Sequence, residues 1–235
     1  MQETNPILFR CHNAHDLLTE PKSKADKEAG LMAETSKTMI RKMWLKNNYG
    51  YKEPLVTEAV LKGLLCEQDG MGLAQEVVGG EFRRRYGINL CNNYITGTPD
   101  IVLKNEDYVE DIKISENLAT FFDAELTPRY ETQGQCYMWL TGKKKYRLIY
   151  CLVPSPPEFV IDAQRRMFFK FGCDESNADY IEAYNQIEHN NNLILSMPAK
   201  DRVKVFEFGY NESTIERLKI QIEKARNYYQ TLKIT

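Results

Sequence analysis

The sequence predicts an α/β domain, a central mixed β-sheet flanked by helices with helical additions at both ends. Three stretches carry that reading. Gly97-Thr98-Pro99-Asp100-Ile101-Val102-Leu103 and Val109-Glu110-Asp111-Ile112-Lys113-Ile114 are apolar strands interrupted by acid, separated only by the turn-like Asn105-Glu106-Asp107. Residues 127–142 carry helix punctuation at both ends: Thr127 as the cap, Pro128 in the first turn and Gly142 as the stop. Residues 146–153 read as a strand of the buried type, closed by Pro154 and Pro156-Pro157.

Taken in chain order, the first thirty residues read as irregular and polar, with a charged stretch over 20–28. Residues 34–47 predict a helix with Met39, Ile40, Met43 and Trp44 on its apolar side. A second helical stretch covers 56–78, with a break expected near Gly70-Met71-Gly72 and Glu67 in its middle. After the hairpin, helix and strand already described, 161–171 and 177–189 read as helices and 203–208 alternates like a strand. Residues 213–232 form an amphipathic helix, because Ile215, Leu218, Ile222, Ala225, Tyr229 and Leu232 recur at helical spacing. No repeat or low-complexity linker divides the chain. A single domain over residues 1–235 is expected, with its core at about 56–155 and additions over 156–235.

Composition excludes several classes. The chain has 235 residues, 43% hydrophobic and 27% charged, an ordinary globular mix. No stretch approaches the roughly 20 apolar residues that span a bilayer. Met1-Gln2-Glu3-Thr4-Asn5-Pro6 lacks the basic start and apolar run of a signal peptide, so a cytoplasmic location and no membrane partner are expected. Cys11, Cys66, Cys91, Cys136, Cys151 and Cys173 are widely spaced, which disfavours a zinc ribbon or an iron–sulfur cluster and suits reduced, buried thiols. Net charge is −2, so bulk attraction to nucleic acid is not available. Positive charge is local, in Arg83-Arg84-Arg85, Lys143-Lys144-Lys145 and Arg165-Arg166, and such runs read as solvated faces.

The hairpin holds the chemistry. With its turn centred between Asn105 and Glu106, Asp100 lies opposite Asp111 and Val102 opposite Val109. Strand residues two apart share a face, so Asp111 and Lys113 point the same way while Glu110 points to the other side. Like charges directly opposite destabilise a sheet, and a divalent cation is the simplest reason to keep them. Mg²⁺ takes one or two protein carboxylates and keeps its other positions for water and substrate oxygens, which suits Asp100 and Asp111, with the Ile112 backbone carbonyl as a further ligand. Mn²⁺ is expected to substitute. Lys113 is placed to orient or deprotonate an attacking water, or to neutralise charge developing on a phosphate. On the following helix Gln133 and Tyr137 share a face, with Tyr130 on the same side. His12 and His15 are spaced like helix ligands, but no acid or cysteine cluster completes a site.

These motifs, "GTPD", "DIK", "YETQGQCYMWLTG" and "LIYCLVPSP", resemble the PD-(D/E)XK nuclease superfamily, in particular phage-type recombination exonucleases similar to lambda exonuclease, and RecB-like nuclease domains with a Gln-x-x-x-Tyr motif. "KGLLCEQDG" resembles the helix that carries that family's first acidic residue, and "LFRCHNAHDLLTE" its N-terminal arginine segment. The resemblance implies a restriction-endonuclease-like core and makes Asp100 and Asp111 metal ligands and Lys113 the catalytic lysine. It makes Glu67 an accessory metal or water ligand, Gln133 and Tyr137 DNA or active-site contacts, and Arg10 a contact to substrate phosphate. Cys11-His12-Asn13 stands where many members carry a small hydroxyl residue after the arginine. The implied activity is Mg²⁺-dependent hydrolysis of double-stranded DNA from its ends, 5′-to-3′. A single-strand annealing recombinase and a homo-oligomeric ring are the implied partners. An endonuclease of restriction or repair type, or a DNA-binding or virion-associated module without activity, are the alternatives on the same core.

Overall fold

The computed structural model describes residues 7–53 and 57–234. The N-terminal segment folds as β1 (Phe9–Arg10), a 3₁₀ turn (Cys11–Asn13), α1 (Ala14–Leu18) and α2 (Lys24–Glu28). Next come α3 (Glu34–Tyr49), α4 (Glu58–Leu65), α5 (Glu67–Val78), β2 (Leu90–Cys91), β3 (Ile95–Gly97), β4 (Ile101–Val102) and β5 (Tyr108–Ile114). The remainder is α6 (Leu118–Phe122), α7 (Pro128–Thr141), β6 (Lys145–Cys151), α8 (Pro157–Lys170), α9 (Ala178–Ser196), β7 (Val203–Gly209) and α10 (Glu212–Thr231).

Four strands form the main sheet in the order β4-β5-β6-β7, and three form a small one in the order β1-β3-β2. In the main sheet β5 and β6 run parallel, whereas β4/β5 and β6/β7 are antiparallel, so the sheet is mixed as expected. Register divides its faces. Val109, Asp111 and Lys113 share one face with Tyr146, Leu148 and Tyr150; Glu110, Ile112 and Ile114 share the other with Arg147, Ile149 and Cys151. The first face is covered by α7, and α10 packs on α7, α1 and α3, so that Cys136, Met138, Leu218 and Ile222 are fully buried in one cluster with Tyr146 and Leu148. The second is covered by α5, through Met71, Leu73 and Ala74.

Helix α7 begins on Thr127, whose side chain accepts the Tyr130 N–H, and ends at Gly142 with φ +75°, as its punctuation predicts. In α10, Ile215, Leu218, Ile222 and Ala225 are all completely buried.

Two expectations are corrected. Helix 56–78 does not break at Gly70; it divides at Cys66, between α4 and α5, and Val56 lies outside the described residues. A Cβ on Gly70 would collide with Ile114 Cδ1 and press on Ile112 Cγ2 at 3.3 Å. The glycine therefore serves close helix–sheet approach, and that burial outweighs its intrinsic cost of about 1 kcal/mol in a helix. The N-terminal segment is not irregular either: β1 pairs in parallel with β3, and Phe9, Ala14 and Leu17 enter the core. The other reading over the first six residues lies outside the described residues.

Candidate active site

The β4/β5 register sets Ile101 against Glu110 and Val102 against Val109, which places Asp100 beside Asp111 as the hairpin predicts. The ladder stops at Asp100 because its backbone and side chain take other partners. Its carbonyl accepts the Tyr86 N–H at 2.7 Å, and its carboxylate accepts the Ile112 N–H at 2.9 Å. The hairpin opens there and turns a carboxylate toward Asp111.

Asp111 is 1% exposed, and Lys113 Nζ approaches its Oδ2 at 2.5 Å. That approach is an ion pair only: Oδ2 is buried without a hydrogen-bond partner among the described residues. Burial, then the Asp111 charge, pushes the Asp100 carboxyl up to about 9. Burial would also raise Asp111, but Lys113 and hydrogen bonding from Asp100 hold it below the ordinary value. Without a cation the pair therefore keeps one proton, on Asp100. Burial opposes the charged form of Lys113, yet the neighbouring Asp111 charge outweighs burial and the amine stays protonated. Lys113 also lies 5.3 Å over the Tyr130 ring, which sets Tyr130 on the site side of α7.

Gln133 and Tyr137 meet as their spacing predicts, with Gln133 Nε2 donating to Tyr137 Oη at 3.1 Å in a buried setting. Tyr137 in turn lines a cavity of about 560 Å³ with Arg10, His12, Asn89, Thr96 and Thr98. Arg10 thus shares a cavity with Tyr137, whose hydroxyl feels the Asp111 and Asp100 charges, although Arg10 lies ninety residues from Asp100 in the chain. The protonated form of His12 is disfavoured by burial, then by the charges of Arg10, Arg129 and Lys113, which marks this corner as electropositive.

Glu67 is not gathered with the pair into a group of metal ligands among the described residues. It opens α5, on the helix that covers the opposite face of the sheet, and Arg85 Nε lies 3.3 Å from its Oε1. Among the described residues no group of three His, Cys, Asp or Glu side chains is gathered for a metal. Two carboxylates alone still match the way Mg²⁺ is held, and the buried Asp111 oxygen, with no hydrogen bond among the described residues, beside an Asp100 carboxyl kept protonated by burial and its neighbour's charge, is a donor set a hard divalent cation would satisfy. At Ile112 the group joined to Asp100 is the amide.

Tyr146 is a site neighbour that sequence reading passed over as a strand residue. Its hydroxyl is buried with no hydrogen-bond partner among the described residues, and burial with the nearby Asp111 charge holds its pKa far above the ordinary value. The available signal was its alternation with Leu148 and Tyr150 on the Asp111 face. Glu110 faces away, as predicted. It is fully buried and bound by Arg83 (2.7 and 3.0 Å) and Arg147 (2.6 Å), so Arg83 is not part of a solvated face.

No protein-family profile and no curated protein sequence matches the chain. Solved structures do. A phage-related exonuclease from Haemophilus somnus 129PT superposes with a TM-score of 0.75, over 95% of this chain and 94% of that one, at 24% identity. An alkaline exonuclease, LHK-Exo from Laribacter hongkongensis, superposes at 0.62 over 95% and 88% of the two chains, at 11% identity. Its complex with dAMP gives 0.61. The chain has the fold of these exonucleases, and the fold class read from the sequence is the one observed.

Proposed function

We propose that the chain is a divalent-metal-dependent deoxyribonuclease that degrades double-stranded DNA from its ends, 5′-to-3′. One observation carries the reading: opposed Asp100 and Asp111 carboxylates, the Asp111 one buried and ion-paired with a protonated Lys113. The exonuclease names of the structural neighbours support it, and the dAMP held by one of them is the kind of mononucleotide an exonuclease releases.

Asp100 and Asp111 would hold the ion, with the Ile112 carbonyl as a further ligand and Glu67 as an accessory one that reaches the ion through a bound water. Mg²⁺ is the expected species and Mn²⁺ a substitute. When bound, the cation supplies charge stabilisation at the attacked phosphate and a more acidic water. Lys113 stays charged next to two carboxylates, so it acts on the developing phosphate charge rather than as a free base. Gln133 orients the Tyr137 hydroxyl, and the two align the nucleotide. Arg10 engages the terminal phosphate. A single-strand annealing recombinase and a homo-oligomeric ring follow from the family resemblance.

The test uses purified protein with Mg²⁺ and three end-labelled DNAs: linear duplex, closed circle and single strand. The expected result is mononucleotide release from linear duplex, an intact circle, loss of activity with chelator and recovery with Mn²⁺. Nicking of the circle would make the protein an endonuclease; cleavage of none would leave a DNA-binding module.

A further inference from the structure

The segment 79–89 between α5 and β2 holds cationic and apolar side chains that the site above does not use. Its neighbours form a cleft of about 780 Å³ lined by Phe82, Arg84, Arg85, Tyr86, Lys104 and Lys143, among others. We propose that this cleft binds the phosphate backbone of a DNA strand beyond the scissile bond; the proposal rests on the nuclease reading.

The segment is clasped in place by four sets of contacts. Arg83 is driven under the sheet, where Nε and Nη2 bind the two Glu110 oxygens and Nη1 binds the Gly79 carbonyl. The Glu81 carboxylate accepts the Lys104 and Asn105 amides at 2.8 and 2.7 Å. Glu106 Oε1 accepts the Glu81 amide at 3.0 Å. The Tyr86 amide donates to the Asp100 carbonyl. A loop fixed at this many points loses little entropy when a ligand arrives.

Charge then selects the ligand. Among the described residues, Arg84, Lys104 and Lys143 make no ion pair with a carboxylate. Glu81, the acid lining the cleft, already has both oxygens on backbone amides. Lys143 Nζ donates to the Glu106 carbonyl and lies within the field of the Glu81 carboxylate, so three cations face one acid, and in a chain of net charge −2 that local positive excess is an anion site and not a bulk effect. Phe82 is 74% exposed and Ile88 56% exposed, so apolar surface lies among these cations. Cations interleaved with an aromatic ring suit a strand, whose phosphates pair with the cations while its bases stack. The Tyr86 amide, on the cleft wall, donates to the Asp100 carbonyl, and Ile101 next to Asp100 lines the cleft, so the cleft adjoins the residue that carries one of the two carboxylates.

The test compares two triple variants of the full chain. One is Arg84→Ala/Lys104→Ala/Lys143→Ala. The other, Arg165→Ala/Lys170→Ala/Lys200→Ala, removes the same charge from exposed positions outside the cleft. Binding of a fluorescent single-stranded oligonucleotide is followed by anisotropy without divalent cation, between 50 and 200 mM salt. The cleft variant should lose about tenfold in affinity, and the slope of log K against log salt should shrink by about 2, while the control variant keeps both. Arg84→Lys/Lys104→Arg/Lys143→Arg should bind normally, which separates lost charge from lost folding. Equal losses in both alanine triples, or no loss in either, overturn the cleft. If the wild type still degrades DNA in that case, the nuclease reading stands alone. Loss of polyglutamate binding with DNA binding intact would also overturn it, in favour of an acidic protein. A wild type that binds no DNA overturns both.

Discussion

At the residue scale, Asp100 is the group on which stability and chemistry meet. Its folded-state pKa of about 9 exceeds the ordinary value of 3.8, so the metal-free folded protein holds a proton that the unfolded chain releases. That stabilisation is complete below about pH 4 and is lost as pH rises toward about 9. The urea midpoint of metal-free protein should therefore fall across this window, Asp100→Asn should flatten the slope, and Mg²⁺ should restore wild-type stability at the alkaline end. Asp100→Asn and Asp111→Asn should each abolish cleavage while remaining folded; a wild-type rate in either would remove the site. Lys113→Ala should lower kcat by about 10²-fold or more with little change in DNA affinity, since its charge acts mainly in the transition state. Arg10→Ala should slow cleavage of 5′-phosphorylated duplex far more than of 5′-hydroxyl duplex, measured at matched salt. Equal losses on the two substrates would reject the end-phosphate role.

At the element scale, two helical glycines should respond with opposite signs. A Cβ on Gly134 in α7 would meet Phe208 Cζ at 2.6 Å and Tyr146 Cδ1 at 2.7 Å, both ring atoms with little room to yield. Gly134→Ala should cost about 1–3 kcal/mol by overpacking. It should also impair activity, because the displaced ring is the one beside Asp111. Gly72 in α5 is exposed and has nothing within 4 Å of its Cβ position. Gly72→Ala should stabilise by about 0.5–1 kcal/mol through helix propensity alone, and leave cleavage unchanged. Chemical denaturation of both variants checks the signs.

At the scale of the whole molecule, one buried cluster joins Phe9 near the start of the chain to Ala225 in α10. We propose on that basis that the chain unfolds as a single cooperative domain. The α8–α9 hairpin is the exception: Gln164 is the buried residue of α8 and Ile194 that of α9. Its amides should exchange with solvent well before those of β5 and β6, which native-state hydrogen exchange would show. Uniform protection across the chain would reject this division. No described helix is long and apolar enough to cross a membrane.

The sequence by itself determined what is local. The Asp100/Asp111 register follows from a short turn, the Lys113 face from strand periodicity, and the ends of α7 from Thr127, Pro128 and Gly142, all of which act within a few residues. The Gln133–Tyr137 contact follows from one helical turn. Tertiary structure decided what depends on distant partners. Arg10 and Tyr137 share a cavity only because β1 pairs with β3. Gly70 supports a helix rather than breaking it only because β5 lies beneath it. Glu67 opens a helix on the face away from Asp111 and takes Arg85, a placement its own neighbours in the chain do not encode. Arg83 leaves its basic run for a buried carboxylate because Glu110, on the far face of β5, is a buried charge that Arg83 and Arg147 compensate.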